Sequence, residues 1–518
     1  MNKEEYRNRV NGCWMGKNIG GTLGMPMEWE RSRNQVTYYT HDLDGKPLPN
    51  DDLDIQILWL LALEDKGIHI DAKTMGEYFN EFMIFTHAEY GVAKTNLRTG
   101  FQPPVTGSFN NDFKDSCGSY IRAEIWACLF PGKPEKAAEY AFEDAIIDHG
   151  DGEGVYAEIF IAVMESAAFY IKDIRKLIEI GLSYIPEDCA VSHAVRSAVE
   201  TFDAGISEED AREHIMKNFI GHLEWHYISE EDEKKGYQNG KMGWDVPSNI
   251  MIIIYGLLFG GGDFEKSILA AVHFGEDTDC TAGTIASLFG IMYGVDFFEK
   301  KWTEPIGSGI VTYSIDPFRM AGRIPATVEE FTERVFKQKE LAWKELGLAE
   351  KEEEGEGEEN SWYAKPYFQN LYDEMKNIRY EFPYLNVRVD YCGEPVITQG
   401  EPKKIKLVLS NTSKSLTADR VNVYLYSRDG CIVMPQNEVS VFLTMAHMGA
   451  GIKEVEFQVC AEGPLKPIYR FVAEFIFEEN KNRKTMHVPL VLVSQMGTVR
   501  EVKWEKKGPH AVNNLPRI

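Results

Sequence analysis

Two short acidic runs in this sequence each precede an apolar segment. The first is Asn50-Asp51-Asp52-Leu53-Asp54 and the second is Glu276-Asp277-Thr278-Asp279. Carboxylates this close together repel one another unless a cation lies among them. Asp277 and Asp279 are two positions apart, so on a tight turn both can face one ion. Oxygen ligands favour Mg²⁺, Mn²⁺ or Ca²⁺ over zinc, and we therefore expect the two runs to meet and hold divalent cations.

The same runs have a simpler interpretation as helix caps. Acidic and Asn residues at a helix start accept bonds from free N–H groups and complement the helix dipole. One cap needs one such residue, whereas Asp51, Asp52 and Asp54 lie within four positions. If the runs are caps alone, the aspartate pairs should lie more than about 10 Å apart, too far for shared ions bound at about 2.0–2.6 Å.

Composition and charge limit the classes of function. The 518 residues carry 55 basic and 81 acidic side chains, a net charge of −26, which argues against partners such as nucleic acid or an anionic membrane. The N-terminus has no apolar signal region, and the longest apolar run, 250–259, is too short to cross a bilayer. Eight scattered cysteines without a CxxC pair are typical of reduced thiols. We expect a cytoplasmic protein, whose oligomeric state the sequence leaves open.

The hydrophobic period divides the chain. Residues 1–346 show apolar positions at helical spacing, and residues 347–361 form an acidic Gly/Glu run that we predict to be a linker. Residues 362–518 contain a lead-in segment and then alternating apolar runs separated by turns, which predicts an immunoglobulin-like β-sandwich. We assign this domain a structural role by default, and a carbohydrate-binding role would need exposed aromatics such as Tyr380, Phe382 or Tyr384.

A stripe of small residues follows the second acidic run. Ala282, Ala286, Gly290 and Gly294 recur every four positions, so another helix can approach this face closely. We expect the helix that begins near Asp51 to be that neighbour.

Four stretches between residues 8 and 345 resemble the ADP-ribosylglycohydrolase family of the dinitrogenase reductase-activating type. Residues 12–28 are similar to its G-x-x-x-G…G-D-A-L-G…E opening, and residues 116–122 to its N-G-x-x-M-R segment. Asn50-Asp51-Asp52 is similar to its T-D-D motif. The run from Glu276 to Cys280 is similar to its G-D-T-D-T motif, the most specific of the four.

The resemblance implies an all-α catalytic domain with two Mg²⁺ ions at the base of a cleft, with Mn²⁺ or Ca²⁺ as alternatives. By residue-to-residue transfer, the metal ligands are Asn50, Asp51, Asp52, Asp277 and Asp279. Asn50 replaces a ligating Thr, and its amide oxygen can still coordinate an ion. Cys280 replaces another Thr, and a thiol is a poor Mg²⁺ ligand. Glu28 matches a glutamate near the metals, and we expect it, or a water oriented by the aspartates, to act as the catalytic base.

The resemblance also suggests substrate-binding residues. Gly118 and Ser119 lie in the segment that helps to bind diphosphate and ribose, and His149 lies where the family has a histidine near the substrate. Gly152 and Glu153 follow in a glycine-rich turn that can approach a ligand. That turn is alternatively a helix start capped by Asp151 or Glu153. Gly21, which replaces the family's Asp, indicates a distant branch.

These features predict a Mg²⁺-dependent hydrolase that cleaves a ribosyl-type N- or O-glycosidic bond, ADP-ribosyl or related, in a small-molecule or protein-attached substrate. The alternative is an inactive relative that binds a nucleotide-sugar or glycan without turnover.

Overall fold

A computed structural model describes residues 1–28, 33–219, 243–348, 361–413, 419–444, 451–479 and 482–495. Most of the predicted acidic linker, residues 349–360, lies outside these ranges. Internal contacts divide the described chain into two units. The first contains Met1–Val92 and Asn111–Gln369, and the second contains Ala93–Asn110 and the described residues from Asn370 onward.

The first unit is built of helices, as the hydrophobic period predicts. In chain order the α-helices of the described residues before the strands are α1 (Lys3–Gly24), α2 (Asp51–Lys66), α3 (Ala72–Phe82), α4 (Ala88–Thr99), α5 (Val105–Ser108), α6 (Glu124–Leu129), α7 (Pro134–Ala145), α8 (Glu153–Ala168), α9 (Ile174–Ser183), α10 (Ala190–Asp203), α11 (Glu208–Asn218), α12 (Val246–Gly260), α13 (Phe264–Phe274), α14 (Thr278–Tyr293), α15 (Lys300–Thr303) and α16 (Val328–Leu346). Short 3₁₀ turns lie at Met25–Met27, Tyr120–Arg122, Val295–Phe297 and Pro366–Glu374.

Several of these helices are buried on nearly every side. Helix α12 begins with Pro247 in its first turn and ends at Gly261, whose φ of 57° lies in the left-handed region that favours glycine. Its apolar residues from Ile250 to Leu258 are all buried. Among the described helices, none combines the length and the apolar character that crossing a membrane requires.

Helices α1 and α14 pack with their backbones in contact. A methyl group added at Gly16 or Gly20 would lie 2.2 Å from the carbonyl oxygen of Ala286 or Ala282, respectively. Only glycine permits such an approach, so the small residues of α14 are matched by glycines four apart on α1. The predicted stripe therefore does face a neighbouring helix. The expected neighbour was wrong, because the partner is α1 and not α2.

The second unit is β-structured, as predicted. Its strands are β1 (Ile378–Phe382), β2 (Leu385–Asp390), β3 (Val396–Ile397), β4 (Lys403–Asn411), β5 (Asp419–Ser427), β6 (Cys431–Met434), β7 (Glu438–Leu443), β8 (Ile452–Ala461), β9 (Ile468–Phe477) and β10 (Met486–Ser494). They form two five-stranded sheets, β1-β2-β4-β8-β6 and β3-β10-β9-β5-β7, antiparallel except where β3 pairs with β10. The immunoglobulin-like connectivity stays a prediction.

Side chains from both sheets share one hydrophobic core, which fits the alternation in the sequence. In β4, Ile405, Leu407 and Leu409 are buried while the residues between them are more exposed. The core also contains three residues from far earlier in the chain: Phe101, Val105 and Phe109. The segment 93–110 thus completes the β unit, which the predicted boundaries at 346 and 362 did not anticipate.

Candidate metal site and cleft

The two acidic runs meet, together with the residue that follows the 3₁₀ turn after α1. Potential ligand atoms of Glu28, Asp277 and Asp279 lie within 4.8 Å of one another. A second group, also within 4.8 Å, consists of Asp52, Asp279 and Cys280. An interpretation of the runs as caps alone requires a separation of more than about 10 Å. The structure excludes it for Asp52 and Asp279.

Helix starts place these carboxylates. Asp51 and Asp52 occupy the first turn of α2, Asp277 precedes α14, and Asp279 lies in its first turn. A helix N-terminus carries partial positive charge, which favours carboxylates there. Glu276, just before Asp277, has a φ of 65°, a backbone conformation that side-chain-bearing residues rarely adopt.

Burial and mutual repulsion dominate the electrostatics of the cluster. Burial, together with the charges of Asp279, Asp277 and Asp51, raises the pKa of Glu28 to about 12. Burial also raises the pKa of Asp279 to about 6, partly offset by a hydrogen bond from Asp277. The cluster therefore disfavours full ionisation, and a bound cation would remove that penalty.

Two buried oxygens in the cluster lack a partner. Among the described residues, Asp277 Oδ1 and Asp279 Oδ1 accept no hydrogen bond, although their residues are only 4% and 3% exposed. Buried polar atoms are normally satisfied by protein, water or an ion. Hard carboxylate oxygens fit Mg²⁺ or Mn²⁺. The residues present therefore suit a divalent cation held by Glu28, Asp277 and Asp279.

Asp51 is held by two tyrosine hydroxyls. Tyr313 donates to Asp51 Oδ1 at 3.1 Å and Tyr90 to Asp51 Oδ2 at 3.3 Å. The third acid of the first run, Asp54, faces elsewhere: its Oδ2 accepts from the backbone of Tyr313 and Ser314 at 2.8 and 2.7 Å. Asp54 thus fixes the segment that presents the Tyr313 ring to Asp51.

A buried lysine lies behind the acids. Lys17 Nζ is 3.3 Å from Asp52 Oδ2, donates to the carbonyl of Ile121 at 3.0 Å and contacts Glu124. Glu124 also accepts from Gln56 at 2.7 Å. A single Lys within an apolar helical stretch gave no sequence signal for this role, which becomes visible only when α1, α2 and α6 are packed together.

The acids border a cleft of about 390 Å³, a volume that includes space open to solvent. Its lining residues are Glu28, Asp51, His87, Ala88, Glu89, Tyr90, Ser116, Cys117, Gly118, Ile121, Trp244, Asp277 and Cys280. Glu28, Asp51, Gly118 and Asp277 were predicted as site residues. Sequence analysis missed His87, Glu89, Tyr90 and Trp244, since isolated side chains at these positions form no local motif.

The helical part of the sequence matches a known protein family. The family model described as ADP-ribosylglycohydrolase matches residues 2–341, well over half of the chain. The chain belongs to the ADP-ribosylglycohydrolase family. The match covers every carboxylate of the cluster and ends before the first strand of the β unit.

The chain is also similar to two further proteins. An uncharacterized protein of Archaeoglobus fulgidus is 22% identical over 315 residues, which covers 58% of this chain and 91% of the relative. A solved chain described as an ADP-ribosylglycohydrolase-related protein complex is 16% identical with a TM-score of 0.39, over 65% of this chain and 99% of that chain.

Two departures from the ADP-ribosylglycohydrolase pattern are in contact. Asn50 Oδ1 accepts from the backbone N–H of Asp52 at 2.8 Å, and Asn50 Nδ2 lies 3.2 Å from Asp279 Oδ2. Because a backbone N–H can only donate, the oxygen must face it, and the amide NH₂ faces the acids. A methyl group at Gly21 would lie 2.5 Å from that nitrogen. In this conformation Asn50 presents a donor to the cluster, and its role as a ligand stays a prediction.

Of the predicted substrate-binding residues, one lines the cleft and the others do not. Gly118 lines the cleft, where a methyl group would lie 2.0 Å from Glu89 Oε1. Ser119 is fully buried and donates to the carbonyl of Gly154 at 2.8 Å. Ser119, His149, Gly152 and Glu153 are not among the residues that line the cleft. Their substrate-binding roles stay predictions.

Glu153 and Gly152 have structural partners. Gly152 precedes α8 without a side-chain cap of its own, and Asp115 accepts from the backbone N–H of Glu153 at 2.8 Å. Glu153 instead accepts from the N–H groups of Ala190 and Val191, each at 3.0 Å. The alternative in which Asp151 or Glu153 caps α8 was therefore wrong, because Glu153 caps α10.

His149 belongs to a buried polar chain behind the cleft. Its Nδ1 lies 2.8 Å from Asp148 Oδ1 and its Nε2 lies 3.4 Å from Ser116 Oγ. Since a carboxylate only accepts, the Nδ1 proton of His149 faces Asp148. Arg122 donates to both oxygens of Asp148 at 2.8 Å and to Asp144 at 2.9 Å. His149 can thus reach the cleft through Ser116.

Proposed function

We propose that this protein is a divalent-cation-dependent hydrolase that cleaves a ribosyl-type N- or O-glycosidic bond, ADP-ribosyl or related. The observation that carries the proposal is the meeting of Glu28, Asp277 and Asp279, of which Glu28 and Asp277 line the cleft. Asp277 and Asp279 each have a buried carboxylate oxygen that lacks a partner among the described residues. Membership of a glycohydrolase family supports the reaction class.

Glycosidic cleavage passes through an oxocarbenium-like state and needs proton transfer. A cation at the acid cluster would supply positive charge that orients sugar hydroxyls and stabilises developing negative charge. Glu28 is the candidate to exchange a proton with an attacking water, because its carboxyl lines the cleft beside the acids. One of its two oxygens would bind the cation and the other would accept the proton. Asp51, fixed by Tyr90 and Tyr313, is placed to accept a hydroxyl of the substrate.

Aromatic side chains give the cleft surfaces for a flat or ring-shaped group. Tyr90 and Trp244 both line it, and His87 packs edge-on against Tyr90 with ring centroids 5.6 Å apart. Stacking on such rings accommodates a base or a sugar face. The cleft thus combines an acid cluster at one side with aromatic groups, as a nucleotide-sugar substrate requires.

A specific observation favours a second candidate, a relative that binds a nucleotide-sugar or glycan without turnover. Asn50 presents its NH₂ group to Asp279, and Cys280 supplies sulfur where Mg²⁺ prefers oxygen. Both features weaken the acid cluster as a Mg²⁺ site. Retention of Asp51, Asp52, Asp277 and Asp279 favours the enzyme instead.

The two candidates differ in turnover. The full-length protein is incubated with peptides carrying ADP-ribose on arginine (N-linked) or serine (O-linked), with Mg²⁺, Mn²⁺ or EDTA, and released ADP-ribose is measured by chromatography. We expect release with a divalent cation, loss of release with EDTA, and loss in Glu28→Gln but not in the control Glu299→Gln on an exposed site. Saturable binding of ADP-ribose without release would favour the second candidate.

A further inference from the structure

We propose that this protein binds one divalent cation, at Glu28, Asp277 and Asp279. The Lys17 ammonium supplies the positive charge that a second cation would otherwise provide. The inference rests on the proposed function, since it counts the ions that the same acids hold. It departs from the two ions that the family resemblance implies.

Donors from the protein already satisfy Asp52, the carboxylate at the back of the second potential group. Lys17 Nζ lies 3.3 Å from its Oδ2, and the Cys280 thiol donates to its Oδ1 at 3.5 Å. Asp52 is fully buried. A cation that coordinated Asp52 would have to compete with a fixed ammonium a few ångströms away, and like charges at that distance repel strongly in a buried setting.

Lys17 is held in place by its own contacts. It is 1% exposed, and besides Asp52 it contacts Glu124 and donates to the carbonyl of Ile121 at 3.0 Å. A buried ammonium persists only when paired and hydrogen-bonded, and these three contacts provide its partners. The lysine thus places a positive charge at this end of the cluster.

Asp279 belongs to both potential groups, and its two oxygens differ in their hydrogen bonds. Its Oδ2 accepts from the Asn50 amide at 3.2 Å, whereas its Oδ1 has no partner among the described residues. Asp277 Oδ1 is likewise without a partner in that part of the chain. Within the acid cluster, the oxygens without a hydrogen-bond partner therefore belong to Asp277 and Asp279, whereas Asp52 Oδ2 is paired with Lys17.

The ligand types point the same way. Glu28, Asp277 and Asp279 offer oxygen alone, whereas the other group replaces one oxygen with the sulfur of Cys280. Mg²⁺ and Mn²⁺ prefer oxygen to sulfur, and the Cys280 thiol already donates to Asp52 Oδ1 at 3.5 Å. The site that remains suitable for Mg²⁺ or Mn²⁺ is the all-oxygen one.

The count of bound ions tests this inference without an activity assay. Metal-free full-length protein is titrated with Mn²⁺, with calorimetry for the stoichiometry and electron paramagnetic resonance for the spectrum. We expect one Mn²⁺ per chain with the spectrum of an isolated ion. Two ions sharing Asp279 would be magnetically coupled, and that result would overturn the single-ion inference while leaving a cation-dependent hydrolase intact. No bound ion would instead contradict the cation requirement of the proposed function itself.

Variants separate the two groups of acids. Asp52→Asn should leave one bound Mn²⁺ per chain. Asp277→Asn should weaken Mn²⁺ binding more strongly than the loss of about 10–100-fold that follows mutation of a residue that only contacts a metal ligand. A loss of binding in Asp52→Asn with retention in Asp277→Asn would refute the assignment. The double variant Lys17→Met/Cys280→Thr, if folded by circular dichroism, should bind a second Mn²⁺, whereas Cys280→Thr alone should bind one. A count that stays at one in the double variant would contradict the role of Lys17. Because Asp52→Asn keeps the size of the side chain, it tests the inference even if the double variant fails to fold.

Discussion

Gly20 on α1 lies so close to Ala282 on α14 that an added methyl group would sit 2.2 Å from the Ala282 carbonyl oxygen. The same relationship recurs one turn away between Gly24 and Thr278, also at 2.2 Å. Gly24 is just before the turn that leads to Glu28, and Thr278 lies between Asp277 and Asp279. The helix contact therefore sets the distance between acids that come from opposite ends of the helical sequence.

Replacing Gly20 with Ala should destabilise the helical unit. The obstacle is backbone, which cannot rotate away, so overpacking of about 1–3 kcal/mol is expected, together with separation of the two helices. Urea unfolding followed by circular dichroism measures the first effect, and Mn²⁺ affinity measures the second. Gly309→Ala is the control, because nothing lies within 4 Å of a methyl group there. Equal stability of the two variants would contradict the proposed tight contact.

The packing of the small-residue stripe on α14 could be predicted only in part from the sequence. Spacing alone predicted a closely packed neighbour, because small residues four apart share one face of a helix. It could not name α1 as that neighbour, since glycine positions on α1 and acidic positions on α2 are equally compatible with the stripe. Only the packed structure distinguishes them, through the distances between backbones.

Gly21 and Asn50 should behave as a coupled pair. Gly21→Ala places its methyl group 2.5 Å from Asn50 Nδ2, and relief requires Asn50 to give up its contact with Asp279 or its cap on Asp52. Asn50→Ser shortens the side chain but retains a capping hydroxyl. We therefore expect Gly21→Ala to be destabilising alone and nearly neutral in the Asn50→Ser background, a coupling of about 0.5–3 kcal/mol. A double-mutant cycle of unfolding free energies measures it, and strictly additive effects would refute the contact.

Arg122 should be important for the stability of the helical unit. It is fully buried between Asp144 and Asp148, and its removal leaves two buried carboxylates uncompensated, at a cost of about 3–5 kcal/mol. Arg122→Met is compared by urea unfolding with Arg175→Met, whose partner Asp203 is exposed. The surface variant should lose less than about 1 kcal/mol, and similar losses in both variants would argue against a buried network.

Asp148 should contribute stability that disappears in acid. Burial alone would raise its pKa, but Arg122 and His149 lower the pKa of Asp148 to about 2. Its unfolded pKa is about 3.9, so the ionised form stabilises the fold above about pH 4, and this contribution, about 2 kcal/mol, is lost as the pH falls toward 2. The difference in unfolding free energy between wild type and Asp148→Asn, measured from pH 5 downward, should shrink across that window. A difference that stays constant would contradict the lowered pKa.

The residues of the site, too, could be predicted only in part from the local sequence. Asp51, Asp52, Asp277 and Asp279 stand in compact runs, so their chemistry is visible before their positions are known. Lys17 is the single charged residue in the stretch from Val10 to Gly24 of α1, and Tyr313 lies in a loop. Each acquires a role only from contacts across more than thirty positions, to Asp52 and to Asp51 respectively. The sequence predicted that Asn50 could cap a helix, but it could not predict the direction of the Asn50 NH₂ group.

Phe101 should stabilise the β unit although it precedes the strands by more than 250 residues. It is 1% exposed in the β core, with ring centroids 5.3 Å from Phe109 and 6.5 Å from Tyr391. Phe101→Ala should cost about 3–5 kcal/mol through lost burial and a cavity. Hydrogen exchange in the full chain should therefore accelerate in β9 peptides and remain unchanged in α14 peptides. Phe318→Ala, at an 89% exposed position, should change neither. Unchanged exchange in β9 after Phe101→Ala would show that the segment 93–110 is dispensable for the β core.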